Sequence, residues 1–197
     1  MADNAPPARP AADIADVTLA NTPFIGDPAA PVVMAYWFDY QCPFCREVEL
    51  TVMPKLIEDY VKPGKLRIYF KDYQFLGPDS VTAALEGRAI WEAAPDKFYD
   101  WHRAMFEKQD DENAGWGSAE DVAALTASIP GIDTARIHEL IAARGAVYQS
   151  AIDDTLSEGS GMGVSGTPGT IVGSQLISGA APYAQFRGAI DNALASP

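Results

Sequence analysis

Cysteine is nearly absent from this chain: two of 197 residues. Histidine is as scarce, also two. Lysine and arginine number 14 against 27 aspartates and glutamates, for a formal net charge of −13. No apolar run approaches the ~20 residues of a membrane helix. The longest, AAPVVMAYWF, spans residues 29–38.

Each scarcity excludes something. Two cysteines make one bridge at most, not a disulfide framework. Zinc needs about four ligands at typical spacings, and only His102 and His138 could join the cysteines. No metal and no cofactor is expected. The excess of acid repels phosphate backbones, so nucleic acid is not an expected partner, and neither is an anionic membrane surface. The triplet Asp110-Asp111-Glu112 reads as a solvated loop. The N-terminus, MADNAPPARPAAD, has no apolar h-region. It reads as a mature tail behind an added or retained Met1, mobile over residues 1–14.

What is present is ample for a core. The chain is 48% hydrophobic, and a chain this long should bury roughly 70% of its unfolded surface. PVVMAYWFDY, residues 31–40, reads as a buried, central strand. Cys45, Val48, Val52, Met53, Leu56, Ile57 and Tyr60 then form one helical face. Arg46, Glu47, Glu49, Lys55, Glu58 and Asp59 fill the opposite one. Pro54 should kink this helix and Pro63-Gly64 should end it. KLRIYFKDY, residues 65–73, alternates as a second strand, parallel to the first by the handedness rule. A helical block follows. Its helices are expected from Asp79 to about Ala93, after Pro95-Asp96, after a Ser118/Asp121 capping box, over Thr134 to about Arg144, and over Val147 to Ser157. GTIVGSQLISGA, residues 169–180, reads as a hairpin turning at Gly173-Ser174, and Tyr183 begins a last helix. The order suggests an α/β domain interrupted by a helical insertion.

The cysteines stand together in DYQCPFCRE, residues 39–47. Cys42 falls where the strand ends and the helix begins. Unpaired N–H groups and the positive end of the helix dipole stabilise a thiolate there. In CxxC motifs the thiol pKa can fall to about 3.5–7.5. Pro43 suits the first helical position, where its missing N–H costs nothing. Cys45 lies on the apolar stripe and should be buried. An exposed low-pKa thiol beside a buried partner suits thiol–disulfide exchange, with Cys42 as nucleophile and Cys45 as resolving thiol. A purely structural disulfide is the weaker reading, because closing so short a loop removes little chain entropy. A Cys–His hydrolase would leave the second cysteine unexplained. His102 sits on a core stripe and reads as a packed histidine, and His138 as an exposed one. Gly161-Met162-Gly163-Val164-Ser165-Gly166 matches a dinucleotide fingerprint but has a helix before it and a strand after it, the wrong context.

FDYQCPFC followed by a helix, with GVSGTPGTIVGSQLISGA far downstream, resembles the DsbA-like proteins of the thioredoxin superfamily over residues 15–197. The resemblance implies a thioredoxin domain over 15–76 and 161–197, with a helical insertion over 77–160. It implies that Pro168 is cis and lies beside the cysteines. Pro43, Phe44, Thr167 and Pro168 would then bind substrate, the Thr167 backbone pairing with an extended chain as in β-augmentation. The implied activity is oxidation of dithiols in reduced, partly unfolded periplasmic or other extracytoplasmic proteins. A membrane quinone-linked partner would reoxidise the pair, and the protein would act as a monomer. The alternatives are a disulfide isomerase or reductase of the same fold, and a binding or chaperone module with a structural disulfide. A glutathione-dependent relative is disfavoured by Cys45. Two departures bear on mechanism. Relatives carry a buried carboxylate six residues before the first cysteine, where this chain has Tyr36; Asp39 is a different position. Phe44 replaces the histidine of the strongly oxidising members and cannot donate a hydrogen bond, so a weaker oxidant is expected.

Overall fold

A computed structural model of the protein describes residues 12–112 and 114–195. Strand β2 (Val32–Phe38) is the middle of a five-stranded sheet ordered β1-β3-β2-β4-β5. It pairs in parallel with β3 (Leu66–Asp72), with Val32 opposite Leu66 and Phe38 opposite Asp72. On its other side it pairs antiparallel with β4 (Gly169–Val172), which turns through Gly173 into β5 (Gln175–Ser178). A two-residue edge strand, β1 (Phe24–Ile25), pairs with β3 and has too short a pattern to be read from sequence.

The period-2 rule explains the burial of β2. Val32, Met34, Tyr36 and Phe38 enter the larger core, and Ala35 and Trp37 enter a second core on the opposite face. A strand covered on both faces reads as a continuous apolar run.

Helix α1 (Pro43–Thr51) follows β2. Pro54 breaks the ladder as expected: α1 stops, Val52 kinks, and α2 (Met53–Leu56) continues into a π-helical turn over Ile57–Val61. Between β3 and β4 run α3 (Pro78–Ala93), α4 (Phe98–Lys108), α5 (Ala119–Ser128) and α6 (Thr134–Gly161), and α7 (Tyr183–Ala195) closes the described chain. The Ser118/Asp121 capping box is present.

The sequence reading places two helices within Thr134–Ser157, and the structure corrects this to one of 28 residues. Gly145 marks the expected break. It has open space around it, and a lone helical glycine costs only about 1 kcal/mol. Packing on both sides outweighs that: Ile137 and Leu140 before it, Tyr148 and Ile152 after it, all buried. Near the end of α6 the helix meets the sheet closely. Trp37 Nε1 donates to Thr155 O at 3.1 Å, and a Cβ at Gly159 would lie 2.7 Å from that nitrogen.

Of the tail expected over residues 1–14, residues 1–11 lie outside the described residues. Ala12 is buried, and Ile14 N donates to Gly173 O at 2.8 Å. Among the described residues, no helix is long and apolar enough to cross a membrane.

The two α6 glycines should respond oppositely to alanine. Gly159→Ala forces overpacking against Trp37 and should cost about 1–3 kcal/mol. Gly145→Ala meets nothing and should stabilise by up to about 1 kcal/mol. Urea unfolding midpoints decide; a Gly159→Ala midpoint at or above the parent's contradicts the close-approach account.

Candidate functional site

The site lies just past the end of β2. Asp39 and Tyr40 leave the strand, and Cys42 becomes the N-cap of α1 with Pro43 at the first helical position. Cys42 N donates to Asp39 O at 3.1 Å. The Asp39 side chain is fully buried. Its Oδ1 accepts from Gln41 N and the Ser80 hydroxyl, and its Oδ2 from Phe75 N and Leu76 N. Burial pushes its carboxyl above the usual range, opposed by these bonds. From the end of α4, Gln109 Nε2 donates to Tyr40 O at 2.7 Å and Cys42 O at 3.2 Å, and Arg46 Nε donates to Phe106 O at 2.9 Å.

The register of β4 brings the second motif here. Gly169 lies opposite Trp37, so the residues before Gly169 continue past the end of β2 and reach the cysteines. Thr167–Pro168 is a cis peptide. The Cys42 thiol donates to Thr167 O at 3.3 Å, across 125 residues of sequence. Pro168 O accepts from Gly179 N at 2.8 Å. Cys42, Pro43, Phe44, Cys45, Thr167 and Pro168 are therefore gathered at one place.

One expectation about exposure is corrected. Cys42 is only 4% exposed, because the Thr167 carbonyl stands against its sulfur. The exposed apolar group of the motif is Phe44, at 59%. Phe75 is also exposed, in the loop held by Asp39. Sequence reasoning missed Phe75, since nothing local marks a loop aromatic as belonging to a motif more than 30 residues away. A groove of about 600 Å³ runs along the other side, lined by Pro43, Arg46 and Glu47 and by Asp110, Asp111 and Glu112, the triplet read as a solvated loop.

The two thiols are electrostatically unlike. Cys42 is lowered from 9.0 to about 6, first by a hydrogen bond from the Cys45 thiol, against its own burial. The Thr167 hydroxyl and the N–H groups of Cys45 and Phe44 lower it further. A carbonyl cannot stabilise a thiolate, so Thr167 O serves the thiol form. The hydroxyl, buried without another partner, serves the charged form. Cys45 is fully buried, and that burial with Cys42 beside it pushes its thiol well up.

His102 is packed, as expected, but in polar company. Its Nδ1 is 3.0 Å from Tyr40 Oη, and its Nε2 is 3.5 Å from Glu49 Oε2. Glu49 was assigned to the polar face of α1; the structure corrects this to a fully buried position. The signal was available, because Glu49 follows Cys45 by four residues and so shares its stripe. His138 is exposed. The glycine run 161–166 is a helix end and loop, with Gly163 at φ +88°, not a strand-to-helix turn.

The Cys42 thiolate should appear at 240 nm with a midpoint near pH 6. Thr167→Val should raise that midpoint, and an unchanged value would remove the hydroxyl from the account. The folded pKa lies below the unfolded one, so thiolate stabilisation is complete above about pH 9 and lost as pH falls through about 6. The reduced form should therefore gain stability over the oxidised form between those values, measured as the difference in thermal midpoint.

A family model described as thioredoxin matches residues 18–192. Disulfide bond formation protein D of Bacillus subtilis is 28% identical over 177 residues, covering 90% of this chain and 79% of that one. The crystal structure of oxidised BdbD from the same organism superposes with a TM-score of 0.82 at 26% identity, over 91% of this chain and 96% of that one. The thiol-disulfide exchange protein alpha-DsbA2 from Wolbachia pipientis shares the fold, with a TM-score of 0.78 at 24% identity over 88% and 87% of the two chains. This chain belongs to the thioredoxin family, as a DsbA-like protein thiol–disulfide oxidoreductase.

Proposed function

We propose that the protein introduces disulfides, passing the Cys42–Cys45 disulfide to reduced, partly unfolded proteins outside the cytoplasm. One observation carries the direction: the Cys42 thiol is lowered to about 6. A stabilised thiolate favours the reduced pair, and a disulfide whose reduced form is stabilised is an oxidant. Phe44 between the cysteines cannot donate a hydrogen bond to the thiolate, which supports an oxidant weaker than DsbA.

In this reading Cys42 is the attacked sulfur and Cys45 the resolving thiol. Phe44 and Phe75 offer apolar surface to an unfolded chain. Thr167 and Pro168 lie where an extended substrate would run, so that its backbone pairs with Thr167 in place of the Cys42 thiol. Pro43 holds Cys42 at the helix start. The helices over residues 77–160 are an insertion between two parts of a thioredoxin domain, 15–76 and 161–197. Disulfides persist in oxidising compartments, which supports a periplasmic or comparable location. Each turnover leaves the pair reduced by two electrons, and a membrane quinone-linked oxidase would remove them.

Equilibration in glutathione buffers tests the direction. The pair should be mostly reduced at a poise of about −180 to −210 mV, with a midpoint below the about −120 mV of DsbA. A midpoint near about −270 mV would indicate a reductase, and one below about −300 mV a structural disulfide. Cys45→Ser should trap a mixed disulfide between Cys42 and a cysteine peptide on a non-reducing gel, and Cys42→Ser should trap none.

A further inference from the structure

The groove beside Pro43 has no place in the exchange as described so far. It encloses about 600 Å³ and begins next to the reacting sulfur, since Pro43 follows Cys42 directly. Pro43, Arg46, Glu47, Leu50 and Thr51 line one wall. Their spacing of three and four residues puts them on one face of α1. Gln109 and the triplet Asp110-Asp111-Glu112 line the other.

The charges along it are unbalanced. Glu47, Asp110, Asp111 and Glu112 face a single cation, Arg46, whose Nε is turned to the backbone at Phe106 O. Among the described residues, none of these four carboxylates is ion-paired. The grooves beside α6 differ, for their cations are all paired: Lys71 with Glu158, Arg88 with Asp72 and Arg144 with Glu92.

A second feature points to an occupant independently of charge. Gln109 is only 6% exposed. Its Nε2 is spent on Tyr40 O and Cys42 O, and these two acceptors fix which way the amide is turned. Its Oε1 has no hydrogen-bond partner. The wall of the groove nearest Cys42 thus holds an acceptor in want of a donor, and an unfilled buried acceptor is costly.

We propose that this groove is a subsite for a lysine- or arginine-bearing segment of the reduced substrate. The inference rests on the exchange reading above and names the substrate class that the site selects. Lysine and arginine side chains carry donors and no acceptors, which suits a groove of carboxylates with an unfilled amide oxygen at its Cys42 end. From Pro43 to Thr51 α1 rises about 12 Å, the span of about four residues of extended chain. The selected cation therefore stands within about four residues of the substrate cysteine that meets Cys42. A carboxylate at the same place is repelled, so the groove also rejects acidic segments. Attraction to the net charge of −13 has no such dependence on where the cations stand in the substrate.

Two reduced dithiol peptides of identical composition test this. One carries lysines within about four residues of a cysteine, and the other has the same lysines moved beyond about eight residues. Each is mixed with the oxidised protein and quenched in acid, and peptide oxidation is read by mass spectrometry as a second-order rate. The near-to-far rate ratio is divided by the same ratio measured with oxidised dithiothreitol, which removes the effect of nearby lysines on thiol acidity. The corrected ratio should be about tenfold, the scale of a few exposed ion pairs, and should fall toward unity in high salt. It should also fall toward unity in the variant Glu47→Gln/Asp111→Asn/Glu112→Gln. Taken within one variant, the ratio is insensitive to changes in the reactivity of the cysteine pair. Glu47→Gln alone should lower it in part, should the triple variant not fold. A parent ratio near unity, or one that survives in a folded charge variant, overturns the subsite and leaves the exchange reading standing. A parent that oxidises neither peptide overturns both.

Discussion

Asp39 accepts hydrogen bonds from its own loop, from the loop after β3 and from the start of α3, and the geometry of the thiol pair depends on them. Its backbone carbonyl holds Cys42 N at 3.1 Å. One buried carboxylate thus ties the strand end, the N-cap and the loop bearing Phe75 into a single arrangement. Its charge is disfavoured by burial, and four donors aimed at two oxygens oppose that penalty, the condition under which a buried acid is tolerated. The Gln109 amide, donating to Tyr40 O and Cys42 O, holds the same segment from the α4 side.

The second constraint is the register of β4 on β2. Setting Gly169 opposite Trp37 leaves Thr167 and Pro168 beyond the strand end, against Cys42. Gly169 itself allows this, since a Cβ there would come within 2.6 Å of Val164 Cγ1. The Thr167 carbonyl and hydroxyl then serve different forms of the same sulfur. The two thiols are held one helical turn apart in unlike surroundings. Cys42 faces donors, the Cys45 thiol first among them, while Cys45 is buried with Cys42 beside it, and the difference in their acidities follows.

Two carboxylates lie within a turn or two of the thiols and are treated oppositely. Asp39 is filled with donors and acts as a structural clamp. Glu49 is buried with the His102 ring 3.5 Å away and Tyr99 beside it.

Local pattern determined much of this protein. The apolar run of β2, the stripe of α1, the Pro54 kink, the capping box at Ser118 and the hairpin at Gly173 are each specified by neighbours in sequence, because helix and strand periods act over a few residues. The CxxC at a strand-to-helix junction likewise carries its chemistry locally, through the helix start. Tertiary structure decided the rest. Only packing outweighed Gly145 and made α6 one helix. The β2–β4 register set Thr167 against Cys42, which is why that sulfur is covered and not exposed. The approach of α4 buried Glu49 against His102, though its residue type argued for solvent. Each of these depends on contacts between segments far apart in sequence, where no local period or propensity reaches.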